Sequence, residues 1–333
     1  MTNNSAHPYD DLTPDQILDA VEAEGFVVNG RLFALNSYEN RVYQIGIEDG
    51  PSLIAKFYRP GRWSDAQILE EHQFSAELVA ADIPLVAPLT MPGGHTLARH
   101  GDFRFALFPQ RGGQAPDTST PDTLYRLGQW LGRLHNVGAQ RPFEHRQHLD
   151  LLAGITNNSR FLTEGDWIPR DLRPAWDSLI PDLIDQCARL IDDAGEVATL
   201  RLHGDCHAGN LLVRDEQILL VDLDDCRTGP AIQDLWLLLN GEEHERGNQF
   251  AELLEGYEMF RDFNRRERLL IEPLRCYRQI AHSAWLAKRW DDPAFPRFFP
   301  WFQQPRYWSD QILALREQLA ALQGPPLSLP GQY

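Results

Sequence analysis

Asp205, Asn210 and Asp222 are the residues of this chain whose types and spacing could carry chemistry. They lie in Arg201-Leu-His-Gly-Asp205-Cys-His-Ala-Gly-Asn210 and in Ile218-Leu-Leu-Val-Asp222-Leu-Asp224-Asp225. Apolar runs bracket the polar loop, Ala198 to Leu202 before it and Leu211 to Val213 and Ile218 to Val221 after it, and they read as short buried strands. Polar side chains set between buried strands are costly unless they have partners. Asp205 and Asn210 lie five positions apart, and Asp222 follows twelve positions later, at the end of a hairpin expected to return the chain to the same place. One carboxylate can then receive a proton from a hydroxyl. An amide oxygen and a second carboxylate can share a hard cation. Phosphoryl transfer needs this set: a residue orienting the nucleophile, and oxygen ligands for Mg²⁺ on the phosphates. Asp205 and Asp222 are therefore the candidate catalytic pair, with Asn210 and Asp222 as metal ligands and Asp224 as a further carboxylate for a second ion.

These motifs carry a family resemblance. His203-Gly-Asp205-x-x-x-x-Asn210 followed by Asp222-Leu-Asp224 resembles the catalytic and metal-binding loops of the aminoglycoside phosphotransferase and choline kinase-like superfamily, a branch of the protein-kinase fold. The runs Leu35 to Tyr43, Leu69 to Phe74, Gln233 to Asn240 and Asp292-Pro-Ala-Phe-Pro296 are similar to the bacterial stress response kinase A family, over nearly the whole chain. The resemblance implies an α+β, two-lobed protein-kinase-like fold, with a small antiparallel β N-lobe carrying one main helix and a larger, mostly helical C-lobe. It implies ATP- and Mg²⁺-dependent phosphorylation of protein serine or threonine in a stress response. The same apparatus serves a small-molecule kinase acting on an amino alcohol, aminoglycoside or sugar-like hydroxyl, so that alternative stays open. A nucleotide-binding pseudokinase is disfavoured because Lys56, Asp205, Asn210 and Asp222 are all present.

Lys56 stands out by rarity. Of 31 basic residues only Lys56 and Lys288 are lysine, and Lys56 sits inside the apolar run Leu53-Ile-Ala-Lys56-Phe-Tyr58. A compact ammonium on a flexible stem is not interchangeable with a guanidinium fork. By analogy with the superfamily, Lys56 contacts the α- and β-phosphates and is held by a carboxylate on the following helix, Glu71, with Glu70 as the alternative. The two point about 100° apart on a helix, so one of them faces the cleft. The phosphate-covering loop falls at Asn36-Ser37-Tyr38-Glu39-Asn40-Arg41, which contains none of the glycines that usually permit close backbone approach. Ser37, Asn40 and Arg41 side chains are expected to take over, and the resemblance implies an ATP contact for Ser37. Phe105 to Gln110 falls where adenine would pair with backbone.

Bulk properties narrow the field further. The chain has 333 residues, 43% hydrophobic and 24% charged, with a net charge of −17, which argues against a nucleic-acid surface. The four cysteines are widely spaced without a Cys-x-x-Cys, which suits a reducing cytosol rather than a disulfide framework. No apolar run approaches the roughly 18–20 residues of a membrane span. A cytoplasmic monomer without membrane or nucleic-acid partners is expected. His203, Cys206 and His207 lie within five residues and lack a distal pair at zinc spacing. Asp234 is expected to hydrogen-bond the backbone of the catalytic loop, and no long activation loop follows Asp222.

The elements that must position these residues follow from pattern. Residues 1–12 look disordered. Thr13-Pro-Asp-Gln16 and Ser64-Asp-Ala-Gln67 are helix starts. Between them lie strands near 31–36, 41–48 and 52–59. The second helix carries Ile68, Phe74, Leu78 and Val79 on one face and stops at Ile83-Pro84, before strands near 95–99 and 103–108. The N-lobe is expected over 1–110, a Gly-, Ser- and Pro-rich linker over 111–120, and the C-lobe over 121–333. There, helices are predicted at 123–137, 172–194, 231–240, 248–261, 265–289 and 306–322, with 145–170 irregular and an extended Pro-rich tail from Gly324.

Overall fold

The computed structural model describes residues 7–215 and 217–330. The first six residues of the expected disordered start and the last three of the tail lie outside the described residues. In chain order the elements begin α1 (Pro14–Ala23), β1 (Val28–Ala34), β2 (Arg41–Ile47), β3 (Leu53–Phe57), α2 (Asp65–Ala80), β4 (Ala98–His100) and β5 (Phe103–Pro109). They continue α3 (Pro121–Gly138), α4 (Leu151–Glu164), α5 (Arg173–Ala194), β6 (Thr199–Leu202), β7 (Leu211–Arg214), β8 (Gln217–Leu220) and β9 (Arg227–Pro230). The chain closes with α6 (Ile232–Leu235), α7 (Glu243–Glu258), α8 (Ile271–Lys288), α9 (Ala294–Phe298) and α10 (Pro305–Leu322). Two compact units result. The first holds the described residues up to Pro116 with Phe143–Arg146 and His207–Cys226; the second holds Asp117–Pro142, Gln147–Cys206 and the chain from Arg227 on. The division thus falls inside the expected linker, but residues 207–226, expected with the helical part, pack with the first unit.

The first unit is a five-stranded antiparallel sheet in the order β1-β2-β3-β5-β4. Strand alternation sorts its side chains onto two faces. Leu53, Ala55 and Phe57 of β3 and Phe103, Phe105 and Leu107 of β5 enter one core with Ile17 and Val21 of α1. Ile54 and Lys56 point to the opposite face. A one-residue slip would put the lysine into that core, so the apolar pattern fixes its side. Tyr9 stacks on Phe103, and its hydroxyl donates to the carbonyls of Glu39 and Phe57 at 3.1 and 3.3 Å. Residues 7–12 are therefore ordered, against expectation, because one amphipathic ring anchors them. Helix α2 starts at the Ser64–Gln67 capping box as expected, and buries Ile68, Glu71, His72, Phe74, Ser75 and Leu78. Val79 lies outside that face and is exposed.

The β7–β8 hairpin joins this unit through backbone bonds. Val86 N donates to Leu220 O (3.0 Å), Leu220 N to Pro84 O (2.7 Å) and Val213 N to Gln114 O (2.7 Å).

The second unit is helical apart from the short β6–β9 ladder, a pairing not anticipated in the sequence. Helices α3 and α7 approach backbone to backbone; a Cβ on Gly128 would stand 2.0 Å from the Leu253 carbonyl oxygen. Helix α4 occupies part of the stretch expected to be irregular. Its Gly, Asn, Thr and Ser residues have weak helix propensity, but Asp150 caps Ala153 N and Leu151, Ile155, Ser159 and Leu162 form a buried stripe. Helix α7 begins five residues earlier than expected, at a Glu242–Glu245 capping box, and 265–270 is a 3₁₀ turn leading into α8. Within the Trp- and Phe-rich stretch Trp290 to Phe302, Ala294–Phe298 forms the short helix α9. From Gly324 the described tail has no regular element, yet Leu327 and Leu329 are buried.

Candidate active site

Lys56 is the centre of the first unit's charged cluster. In the middle of β3, paired between Val42 and Ala106, it is held rigidly by the sheet. Its Nζ donates to Asp222 Oδ1 at 2.8 Å, forms an ion pair with Asp224 Oδ1 at 3.1 Å without hydrogen-bond alignment, and lies 3.9 Å from Glu71 Oε1. Burial alone would lower the ammonium's pKa. Asp222, Asp224 and Glu71 outweigh it, so the pKa rises well above the ordinary value and Lys56 stays charged. Burial pushes Glu71 up to about 7 despite Lys56 and Arg146. For Asp224, burial is overcome by Lys56, Arg62 and Arg146, which hold its carboxyl well below the usual range.

Asn210 ends a 3₁₀ turn at 208–210, and its carbonyl accepts from Val221 N at 3.0 Å, closing the base of the β7–β8 hairpin next to Asp222. Asp222 has φ 62°, the left-handed region that non-glycine residues seldom occupy. Its side chain is 51% exposed while that of Lys56 is 7% exposed. Asp222 can therefore receive a ligand from outside, whereas Asp224 is enclosed.

A cavity of about 300 Å³ opens beside this cluster. Ser37, Asn40, Lys56, Glu71, Asn210 and Asp222 are among its polar lining; Val42, Ile54, Val86, Phe108, Leu212 and Val221 are among its apolar lining. Six of the sequence-derived candidates thus share one cavity. Arg41 and Asp224 do not line it. Arg41 packs over the Tyr9 ring at 4.3 Å and donates to the carbonyls of Tyr38 and Asn40. The glycine-free loop is shaped by its own side chains: Ser37 Oγ donates to Asn40 O (3.1 Å) and Asn40 Oδ1 accepts from Arg59 N (3.1 Å). Asp224 is gripped by Arg62, which also donates to Asp225 at 2.8 Å. Arg62 and the buried Arg146 were not singled out in the sequence, since a chain this rich in arginine gives no local signal for either.

Between the alternatives Glu70 and Glu71, the structure buries Glu71 beside Lys56. Glu70 instead accepts backbone N–H groups from residues 144–146.

In the second unit, Asp205 follows β6. Its Oδ1 accepts from Arg278 Nη1 at 2.7 Å. Asp234, fully buried, accepts from the N–H groups of His203 and Gly204 at 2.8 Å each and contacts His135 Nε2 at 3.2 Å, the backbone role expected of it. Gln233 Nε2 donates to Gly204 O at 2.8 Å. His203 is buried, with its Nδ1 3.4 Å from Asp205 N, and His207 Nδ1 accepts from Gly209 N in the first unit. Cys206 is buried, and lack of solvent first, then Asp234 and Asp205, push its thiol well up, which favours the protonated form.

A buried strand lysine among carboxylates, with a helix carboxylate beside it and Asn210 and Asp222 lining the same cavity, is the arrangement of a phosphotransferase of the protein-kinase-like fold. The phosphotransferase enzyme family matches residues 32–271, and the chain belongs to it. It is 44% identical to "Stress response kinase A" of Escherichia coli (strain K12) over 99% of this chain and 100% of that one. It is also 44% identical, with the same coverage, to "Serine/threonine protein kinase RdoA" of Salmonella typhimurium. Among solved structures it resembles amicoumacin kinase hAmiN in complex with AMP-PNP, Ca²⁺ and Ami (TM-score 0.72, 18% identity, 96% of each chain covered). A microcompartment-associated aminopropanol kinase is similar at TM-score 0.70 and 17% identity, covering 92% of this chain and 96% of that one. The chain is a kinase by relationship, and no helix among its described residues is long and apolar enough to cross a membrane.

Proposed function

We propose that this kinase transfers the γ-phosphoryl group of ATP, with Mg²⁺, to serine or threonine hydroxyls of proteins in a bacterial stress response. The observation that carries the nucleotide part is Lys56: a buried ammonium at a cavity with both apolar and polar lining. The apolar lining from Val42, Ile54 and Leu212 suits a purine ring; Lys56 would meet phosphate oxygens, with Ser37 and Asn40. The names and full-length similarity of the curated relatives support the protein-acceptor reading.

The residues fit a divalent cation. Asn210 and the half-exposed Asp222 offer oxygen, the donor Mg²⁺ prefers, in the lining of the same cavity, and the ammonium of Lys56 already sits against Asp222 as a stand-in positive charge. Asn210 and Asp222 would hold the ion, which when bound neutralises charge building on the phosphates. Asp224, enclosed by Arg62 and Lys56, acts by keeping Lys56 charged and placed. Asp205 accepts a hydrogen bond from the acceptor hydroxyl and takes its proton. Asp234 fixes the backbone that carries Asp205. Together with a cytoplasmic location and a monomeric state, these roles complete the proposal.

Purified protein incubated with labelled ATP and Mg²⁺, alone, with generic protein substrates and with a panel of amino alcohols, tests the acceptor class. Label in Ser or Thr of protein, absent with Asp205→Asn, is expected. Turnover confined to a small hydroxyl compound would assign the enzyme to small-molecule phosphorylation instead.

A further inference from the structure

Residues Phe143–Arg146 connect two helices of the second unit, yet pack in the first. One face of α2 holds them, at positions 67, 70, 71 and 74, the spacing of neighbours on a helix. Phe143 packs edge-on against Phe74 at 5.4 Å. Gln67 Nε2 donates to His145 O at 3.0 Å. The Glu70 carboxylate accepts three successive N–H groups, from Glu144 (2.5 Å), His145 (2.9 Å) and Arg146 (2.8 Å). This frame buries Phe143 against Phe74 and carries one charged side chain inward, that of Arg146.

The guanidinium of Arg146 lies 4.4 Å from the Trp63 ring centroid. Nε donates to Cys226 Sγ at 3.2 Å. Nη2 faces Glu71 Oε2 at 3.2 Å and the carbonyls of Leu223 and Asp224 at 3.3 and 2.8 Å. Arg146 is therefore nearer to Glu71 than Lys56 is, 3.2 against 3.9 Å. With the far oxygen of Glu71 secured by Arg146, Lys56 sits closest to Asp222 and Asp224. The same guanidinium grips two successive carbonyls, those of Leu223 and Asp224, within the turn that follows Asp222, whose left-handed backbone needs outside support.

We infer that Arg146 is a positioning residue for phosphoryl transfer, setting Glu71 and the Asp222 turn together so that Lys56 and Asp222 meet the nucleotide in register. A planar fork on a buried helix–turn junction suits this task, and a lysine could not serve the thiol, the carboxylate and two carbonyls at once. Arg146 does not line the cavity, so it acts through these groups and not on the nucleotide.

The inference rests on the phosphotransferase reading above. Its test compares wild type, Arg146→Met, Arg146→Lys, Glu71→Gln and the Arg146→Met/Glu71→Gln double variant. Each is assayed for ADP release from ATP with Mg²⁺, for KM of ATP and for melting temperature. Arg146→Met is expected to lower kcat about 10- to 100-fold while KM changes less than about 3-fold, and Arg146→Lys to recover part of the loss. Adding Glu71→Gln to Arg146→Met is expected to lower kcat by less than about 3-fold further, because residues acting as one unit are not additive. A lowered melting temperature with kcat within about 3-fold of wild type, or losses that multiply in the double variant, would overturn the inference. If Arg146→Met does not fold, Arg146→Lys alone and combined with Glu71→Gln carries the same comparison. Wild-type protein that turns over no ATP would refute the phosphotransferase reading itself, and Arg146 with it; active wild type with indifferent Arg146 variants refutes only the present inference.

Discussion

The guanidinium of Arg278, on α8, holds Oδ1 of Asp205 at 2.7 Å, so the candidate proton acceptor is paired before any acceptor molecule arrives. The two side chains are 47% and 27% exposed, and a pair that open to solvent contributes at most about 1 kcal/mol. Arg278→Gln is therefore expected to leave the melting temperature nearly unchanged and to alter phosphotransfer by less than about 10-fold. Asp205→Asn is expected to lower kcat by about 100-fold or more. Initial rates and thermal melts of the two variants check this; a loss in Arg278→Gln as large as in Asp205→Asn would contradict it.

Lys56 is the ammonium shared by Asp222, Asp224 and Glu71, with Arg62 also on Asp224 and Arg146 also on Glu71. Removing one partner from a buried charge cluster costs about 3–5 kcal/mol, because the charges left behind remain desolvated. Lys56→Met should thus melt lower than wild type as well as losing about 100-fold or more in kcat. Asp224→Asn in the Lys56→Met background is expected to return part of the stability and none of the activity. A Lys56→Met protein as stable as wild type would contradict the cluster's assigned charge state.

Glu267 gives a pH signature away from the nucleotide cavity. It is buried, its Oε2 accepts from Ile232 N at 2.9 Å, and burial pushes it from 4.5 up to about 7. Between those values the unfolded chain has released a proton that the folded chain keeps. The folded state then binds more protons, so stability falls as pH rises from 4.5 to about 7 and is level above. The shift corresponds to about 3 kcal/mol. Glu267→Gln, melted across that range, is expected to show a decline smaller by this order; an unchanged decline would contradict it.

Asp234→Ala would strip the acceptor from two buried N–H groups, those of His203 and Gly204. An unmade buried bond costs about 1–3 kcal/mol each, so a loss of several kcal/mol is expected by denaturant titration. Asp234→Asn, which keeps one acceptor oxygen, should lose less.

How much of this was legible in the sequence differs by kind of signal. Helix-start motifs marked the starts of α1 and α2, and short strand-like runs located β2, β3 and β5, because those signals are local. Helix α4 was hidden: its residues favour helix weakly, and what stabilises it is a stripe buried by distant packing. The apolar run Ala198 to Leu202 marked β6, but its partner β9 and their pairing were hidden, since pairing across 25 or more residues is not a local signal. At the site, residue type and spacing singled out Asp205, Asn210, Asp222 and Lys56, and three of these, Lys56, Asn210 and Asp222, line one cavity. The choice between Glu70 and Glu71 needed a rotation that only packing settles. Arg62 and Arg146 were illegible: both act through tertiary contacts, and neither belongs to a motif.

The central claim is that the cavity under Lys56 takes a metal–nucleotide through Asn210 and Asp222. Titration calorimetry of ATP into wild type and Asp222→Asn, each with and without Mg²⁺, tests it most directly. Wild type is expected to bind one ATP per chain, more tightly with Mg²⁺, and Asp222→Asn to lose the Mg²⁺-dependent part, about 10-fold or more. No binding by wild type, or equal Mg²⁺-dependent binding by the two proteins, would contradict it.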